Sequence, residues 1–242
     1  MGIENRIQFL DGAMGTQLQA KGLPAGASPE LFMMEHGEVI EEVHAAYIDS
    51  GSDIIYTNTF GANAKKLSKS QYTVEDIITR AVQLAKSAAK RKAGVRVALD
   101  IGPIGEMLEP NGYLPFEEAY ELYRQQVVAG EQAGADLVIF ETMSDLYEVK
   151  AAMLAAKEHT QLPVFVTMSF EADYRTFTGC TTASFALCAE GLGADAIGIN
   201  CSLGPDQILP IAEELAAMTN LPLIIKANAG LPDPITNTYS ID

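Results

Sequence analysis

Short apolar runs rich in β-branched residues alternate along this chain with longer stretches whose apolar positions recur about every 3.6 residues. The runs at 7–10, 53–57, 95–99, 137–140, 164–168, 196–199 and 223–226 predict seven strands. The stretches at 38–50, 74–92, 115–133, 146–158, 182–192 and 205–218, rich in Ala, Leu and Glu, predict the helices between them. Gly51, Gly94, Gly134, Pro163, Gly193 and Pro222 punctuate the helix-to-strand junctions. Three junctions nearly repeat, as DSGSDIIYT, EQAGADLVIF and EGLGADAIGIN: a helix end, Gly, a small residue, Asp, then a buried strand. Serial units of this kind predict an α/β fold with a parallel sheet, and no linker divides the chain, so residues 1–242 read as one domain.

The length of 242 residues is near the roughly 250 of a TIM (β/α)8 barrel. Its rival, a doubly wound open sheet, would place G-x-G-x-x-G after the first strand, and DGAMGT lacks that spacing. Because only seven strands can be counted, the barrel is expected to be truncated to seven βα units. The eighth strand would be missing, the domain incomplete at its C-terminus, and the first and seventh strands left with open edges. Apolar residues at 48% and charged residues at 20% are ordinary globular composition. With 16 Lys+Arg against 32 Asp+Glu, the net charge of −16 argues against a nucleic-acid partner, and the one basic run, KSAAKRK, sits at a predicted helix end. No stretch reaches a membrane span of about 18 apolar residues, and MGIENRIQFLDG lacks a signal-peptide layout. Three scattered cysteines form no disulfide framework, which points to a reducing, cytoplasmic setting.

Polar residues gather just past the apolar runs: Asp11-Gly12, Thr57-Asn58-Thr59, Asp100, Glu141-Thr142, Ser169, Asn200-Cys201 and Asn228. In a barrel these strand ends share one mouth, where such folds carry their chemistry. Each residue alone would serve as a cap or a buried hydrogen bond; together they favour a site. Its carboxylates suit a ligand ammonium, and its amides, with the backbone N–H groups of Gly12 and Ala13, suit a ligand carboxylate. The mouth holds no histidine: His36, His44 and His159 fall in loops or helices and read as surface residues, which argues against Ser-His or Cys-His catalysis. Cys201, on the rim in GINCSLGP, is a candidate nucleophile or metal ligand, whereas Cys180 and Cys188 read as structural. The loop at 102–115 reads equally as a lid over the mouth or as a surface Ω-loop.

The ordered motifs FLDGAMGT, YTNTFGAN, LDIGPIGEMLEPNG, FETMSDLYEVKAA, GINCSLGP and KANAGLP resemble the homocysteine S-methyltransferase family over nearly the whole chain. Within it they are most similar to the homocysteine-binding barrels of cobalamin-dependent methionine synthases. The resemblance implies that Asp11, Gly12 and Ala13 meet homocysteine, that Glu141 binds its amino group, and that Asn58 and Asn228 line the pocket. It also implies that Cys201 is one of three zinc-binding thiolates, with methylcobalamin as methyl donor and corrinoid and folate domains as partners. Zinc would ionise a thiol whose ordinary pKa is about 8.5 and leave it nucleophilic. The family's other two thiolates come from a Gly-Gly-Cys-Cys segment that this sequence does not contain, so the fragment is expected to be inactive alone. Two other functions fit the same residues: a Schiff-base aldolase using Lys226, and an amino-acid-binding module without catalysis.

Overall fold

The computed structural model of the protein describes residues 6–229. Eight helices and six strands follow one another among the described residues: α1 (Met14–Ala20), α2 (Pro29–Glu35), α3 (Gly37–Asp49), β1 (Ile54–Tyr56), α4 (Val74–Ala89), β2 (Arg96–Ile101), α5 (Phe116–Ala133), β3 (Leu137–Met143), α6 (Leu146–His159), β4 (Val164–Met168), α7 (Thr182–Gly191), β5 (Ala196–Asn200), α8 (Pro205–Ala216) and β6 (Leu223–Lys226). The strands form one parallel sheet in the order β1-β2-β3-β4-β5-β6. Each neighbour is therefore reached through a helical crossover, as the repeated junctions predict.

The sheet is curled. Laid flat, its edge strands would stand about 24 Å apart at about 4.8 Å per step. Instead the Lys226 ammonium of β6 lies 3.9 Å from the centre of the Tyr56 ring on β1. Side chains alternate across the sheet. Ile54, Ala98, Leu137, Ile139, Phe165, Ala196 and Ile224 form an apolar cluster on the inner face. Leu99, Val138, Phe140, Val166, Ile197 and Ile199 join the larger core beneath the helices. Gly198 lets β5 and β6 come together on the inner side, because a Cβ there would overlap the Ile224 backbone.

Among the described residues, curling stops short of closure. The predicted strand at 7–10 makes one parallel bridge, Leu10 to Ile54, and is not a strand of the sheet, so six strands replace the seven expected. The backbone of Phe9 and Asp11 does bond to β1, with Asp53 N–H donating to the Phe9 carbonyl at 2.7 Å and Asp11 N–H to the Ile54 carbonyl at 3.0 Å. Ile7 and Phe9 are 79% and 63% exposed, so no burial drives the segment into a longer ladder. Between it and β6 a cleft of about 900 Å³ opens onto the inner face, lined by Leu10, Ile54, Phe165, Ala196 and Ile224, with Asp11 and Lys226 also on its wall.

The predicted helices agree with α3 to α8 to within a few residues, while α1 and α2 were not foreseen. Helix α2 starts at a Ser28 cap whose hydroxyl accepts the Leu31 N–H, with Pro29 in the first turn. Helix α4 opens with a Thr73–Asp76 capping box and α5 ends on Gly134 at φ 94°. The recurring aspartate of the repeated junctions clamps strand starts. The Asp136 carboxylate accepts the Val97 N–H at 2.7 Å and pairs with Lys86 at 2.6 Å. Asp195 accepts the Val164 N–H at 2.8 Å and pairs with Lys157 at 3.0 Å, and Asp53 accepts the Phe9 N–H at 2.9 Å beside Arg6.

Two further expectations meet the structure. His36 and His159 are exposed, but His44 is fully buried, contrary to the surface role read for it. It shares the inward stripe of α3 with Ile40 and Ile48. Neither imidazole nitrogen has a hydrogen-bond partner among the described residues, and burial pushes its pKa down to about 4. The loop at 102–115 is anchored: Ile104, Leu108 and Leu114 are buried in the helical core, and the Glu148 carboxylate accepts both the Ile104 N–H and the Tyr123 hydroxyl at 2.8 Å. Of its two readings, the packed Ω-loop is the one the contacts favour.

Candidate active site

Inward-facing positions turn from apolar to polar at the C-terminal ends of the strands. The last inward residues are Tyr56 on β1, Asp100 on β2, Glu141 on β3, Thr167 on β4, Asn200 on β5 and Lys226 on β6, with Asp11 entering from the segment before β1. Parallel strands bring these side chains to one end of the curled sheet.

Asn200 organises the far side. Its carbonyl oxygen accepts the Thr142 N–H and the Thr167 hydroxyl, both at 2.8 Å. Its amide donates to the Thr142 hydroxyl at 2.7 Å and reaches Glu141 Oε2 and Cys201 Sγ at 3.4 Å. Thr142, Cys201 and Ser202 all sit at φ 60°, a left-handed conformation that costs a β-branched threonine most. Strained backbone held by a saturated amide gives a rigid wall beside Glu141. Ser169 braces the same wall, donating its hydroxyl to the Asn200 backbone carbonyl at 2.9 Å.

The near side is unsaturated. Asp11 Oδ2 accepts the Tyr56 N–H at 2.7 Å, yet Asp11 Oδ1, Asp100 Oδ1 and the Tyr56 hydroxyl are buried with no hydrogen-bond partner among the described residues. Native proteins rarely leave such atoms unpaired without a reason, and a role in meeting a polar ligand is one. Burial raises the Asp11 pKa to about 7, with Lys226 opposing, and raises Asp100 well above the ordinary carboxylate range, with Glu141 adding to it. Burial also raises Glu141, against the pull of Lys226, whose ammonium lies 3.7 Å from Glu141 Oε2. Three carboxylates thus face one cation, an arrangement with room for a second positive group.

The remaining sequence-predicted residues divide. Gly12 and Ala13 lead directly into α1, whose first turn has no side-chain cap. The Tyr47 hydroxyl donates to the Ala13 carbonyl at 2.9 Å, and a Cβ on Gly12 would come 2.9 Å from that hydroxyl, so glycine is needed for the turn to pack there. Asn58 is buried, with its amide donating to the Pro29 carbonyl at 2.8 Å, which ties α2 to the end of β1. Asn228 follows β6, its N–H bonded to the Leu203 carbonyl at 3.0 Å. Tyr56 and Thr167 lie outside the polar positions read from the sequence, whereas Thr142 is among them without a role assigned. Strand alternation marks Tyr56 and Thr167, since each shares the parity of an inward apolar neighbour, Ile54 or Phe165. The left-handed turn at Thr142 has no sequence signal.

Burial pushes the Cys201 thiol up, so these surroundings do not make it a nucleophile unaided. Cys180 and Cys188 line a separate groove with Asp145, Lys150 and Ser184, and burial pushes Cys180 up to about 11. Among the described residues no three His, Cys, Asp or Glu side chains converge as a metal-binding set. These residues supply one candidate zinc thiolate and do not fit a complete centre. Among them, too, no helix is long and apolar enough to cross a membrane.

The chain is similar to several known proteins. The methionine synthases of Mycobacterium leprae and Mycobacterium tuberculosis are 30% and 29% identical to the chain, each over 249 aligned residues covering 95% of it. The chain spans about a fifth of those proteins, 20% and 21% of their lengths. Among solved structures, the apo form of the homocysteine methyltransferase MmuM from Escherichia coli matches at 25% identity with a TM-score of 0.76, over 90% of this chain and 81% of that one. Its metallated form shares the fold at 23% identity with a TM-score of 0.82, over 91% and 83%. The profile of one family, homocysteine S-methyltransferase, matches residues 8–242. On that match, the chain belongs to the homocysteine S-methyltransferase family.

Proposed function

We propose that this chain is a homocysteine-binding domain of the (β/α)8-barrel type, spanning residues 1–242, and that it presents homocysteine for methylation to methionine. The observation that carries the reading is the group of buried, unpartnered polar atoms on Asp11, Asp100 and Tyr56 beside Glu141, at positions where the sequence resembles the family's substrate motifs. In this reading Glu141 and Asp11 take the ligand ammonium, while backbone N–H groups at Gly12 and Ala13 take its carboxylate. Asp100 lies beside them with a buried oxygen left for a ligand donor, and Asn58, Ser169 and Asn228 complete the pocket by holding the loops around it.

The rigid Asn200–Thr142 wall fixes Glu141, so the ligand meets a carboxylate already oriented, and the thiol end extends toward Cys201. When bound, zinc would supply a thiolate at neutral pH, and Cys201 would be one of its ligands. The described residues do not complete that site; what they do by themselves is bind the amino acid and orient it. The motif resemblance to cobalamin-dependent methionine synthases supports methylcobalamin as donor and corrinoid and folate domains as partners, and the three free cysteines fit a cytoplasmic setting.

Calorimetric titration with L-homocysteine tests the reading. The chain is expected to bind it, and Glu141→Gln to weaken binding at least tenfold, because loss of a buried charged pairing costs roughly 2 kcal/mol or more. Absence of binding by the unaltered chain, or unchanged affinity in Glu141→Gln, would overturn it.

A further inference from the structure

The mouth already contains a positive charge of its own. Lys226 is anchored at the end of β6, where its carbonyl accepts the Cys201 N–H at 3.1 Å, so the side chain starts from a fixed point. It runs inward to place Nζ 3.9 Å above the Tyr56 ring and 3.7 Å from Glu141 Oε2. The second distance is too long for a strong charge-assisted hydrogen bond, which would be about 2.8 Å. The ammonium is therefore held by charge and by the ring face rather than locked to the carboxylate.

The groups around it come from several elements. Asp11 precedes β1, Tyr56 is on β1, Asp100 on β2 and Glu141 on β3, while Cys201 follows β5 and Glu30 of α2 adds its charge behind Asp100. The same wall that carries Lys226 opens on the cleft of about 900 Å³, into which a four-carbon stem can withdraw.

We propose that Lys226 is a built-in competitor for the cation position on Glu141, and that it sets the affinity of the mouth for ligands bearing an α-ammonium group. The inference rests on the reading that such an ammonium docks on Glu141. A ligand seated there brings a second positive charge within a few ångströms of Nζ, so binding either bears that repulsion or moves Lys226 toward the cleft. Both outcomes lower affinity in exchange for a carboxylate cluster that is not left bare when no ligand is bound.

The test compares Lys226→Met, Lys226→Gln and Lys226→Arg with the unaltered chain by calorimetry at pH 8. Three ligands are used: L-homocysteine, L-alanine, and 4-mercaptobutyrate, which keeps the thiol and carboxylate but has no ammonium. Lys226→Met is expected to bind homocysteine roughly tenfold more tightly, as removal of a like charge at close range predicts. Lys226→Arg should stay near the unaltered affinity, and 4-mercaptobutyrate, an anion without the ammonium, should not tighten in any of the three. If the Met variant does not fold, Lys226→Gln carries the same comparison. Weaker or equal homocysteine binding in the Met and Gln variants overturns the inference and leaves the proposed function standing. If no variant binds homocysteine while L-alanine still tightens on removing the charge, the inference survives and the function falls. If neither L-homocysteine nor L-alanine binds any of the chains, both fall.

Discussion

The two ends of the sheet use the same residue type in opposite ways. At the N-terminal ends, Asp53, Asp136 and Asp195 each accept a backbone N–H from a neighbouring segment and each has a cation beside it. At the C-terminal ends, Asp11 and Asp100 are buried, and each keeps one oxygen without a hydrogen-bond partner among the described residues. The side-chain hydrogen bond from Arg6 is the largest influence holding the Asp53 carboxyl down at about 2, while burial lifts Asp11 to about 7. Saturated carboxylates stabilise a fold; unsaturated ones wait for something else. One end of the sheet holds the structure together and the other is left available for a ligand.

The sign of each shift makes the contrast measurable. Asp53 has a lowered pKa, so its contribution is complete above its unfolded value of 3.8 and is lost as pH falls toward about 2. Asp11 has a raised pKa, so the folded chain keeps a proton the unfolded chain has released, and stability falls as pH rises from 3.8 through about 7. Asp11→Asn, which retains an acceptor for the Tyr56 N–H, is therefore expected to stabilise the fold at pH 8 by up to about 4 kcal/mol, with little change at pH 4. Denaturant unfolding at the two pH values checks this; destabilisation at pH 8 would break the contrast. The same variant should bind homocysteine more weakly, so stability and binding move in opposite directions.

Asp136→Ala sharpens the other side. It leaves the Val97 N–H without its carboxylate partner and Lys86 without its counter-charge, and is expected to cost about 2 kcal/mol of stability. Homocysteine affinity of the folded variant should be unchanged. Unfolding and titration on one preparation separate the two quantities.

Much of this contrast was legible in the sequence, though not its meaning. The Gly-x-Asp junctions stand out as a repeat, but which backbone N–H each aspartate clamps depends on the parallel register. Asp11, Asp100, Glu141 and Asn200 follow from reading past each apolar run. The orphaned oxygens, and the two carboxylates' separation from any saturating donor, arise only when the sheet curls. The segment at 7–10 shows a limit of hydropathy: its pattern is strand-like, but Ile7 and Phe9 find no burial and the ladder stops at one bridge. Helices α1 and α2 are seven residues each, too short for periodicity to register. His44 illustrates the converse, a polar residue buried because the inward stripe of α3 requires a side chain there.

The most direct test of the central claim, that the unsaturated carboxylates meet a ligand ammonium, is the number of protons exchanged on binding. At pH 6, Asp11 with a pKa of about 7 is mostly protonated in the free chain. An ammonium arriving beside it favours the carboxylate, so homocysteine binding should release protons, approaching one per ligand. The count comes from calorimetry at pH 6 in buffers of different ionisation enthalpy, with Asp11→Asn at saturating ligand as reference. The account predicts clear proton release in the unaltered chain and a smaller release in Asp11→Asn. Equal counts in the two chains, or proton uptake, would contradict it.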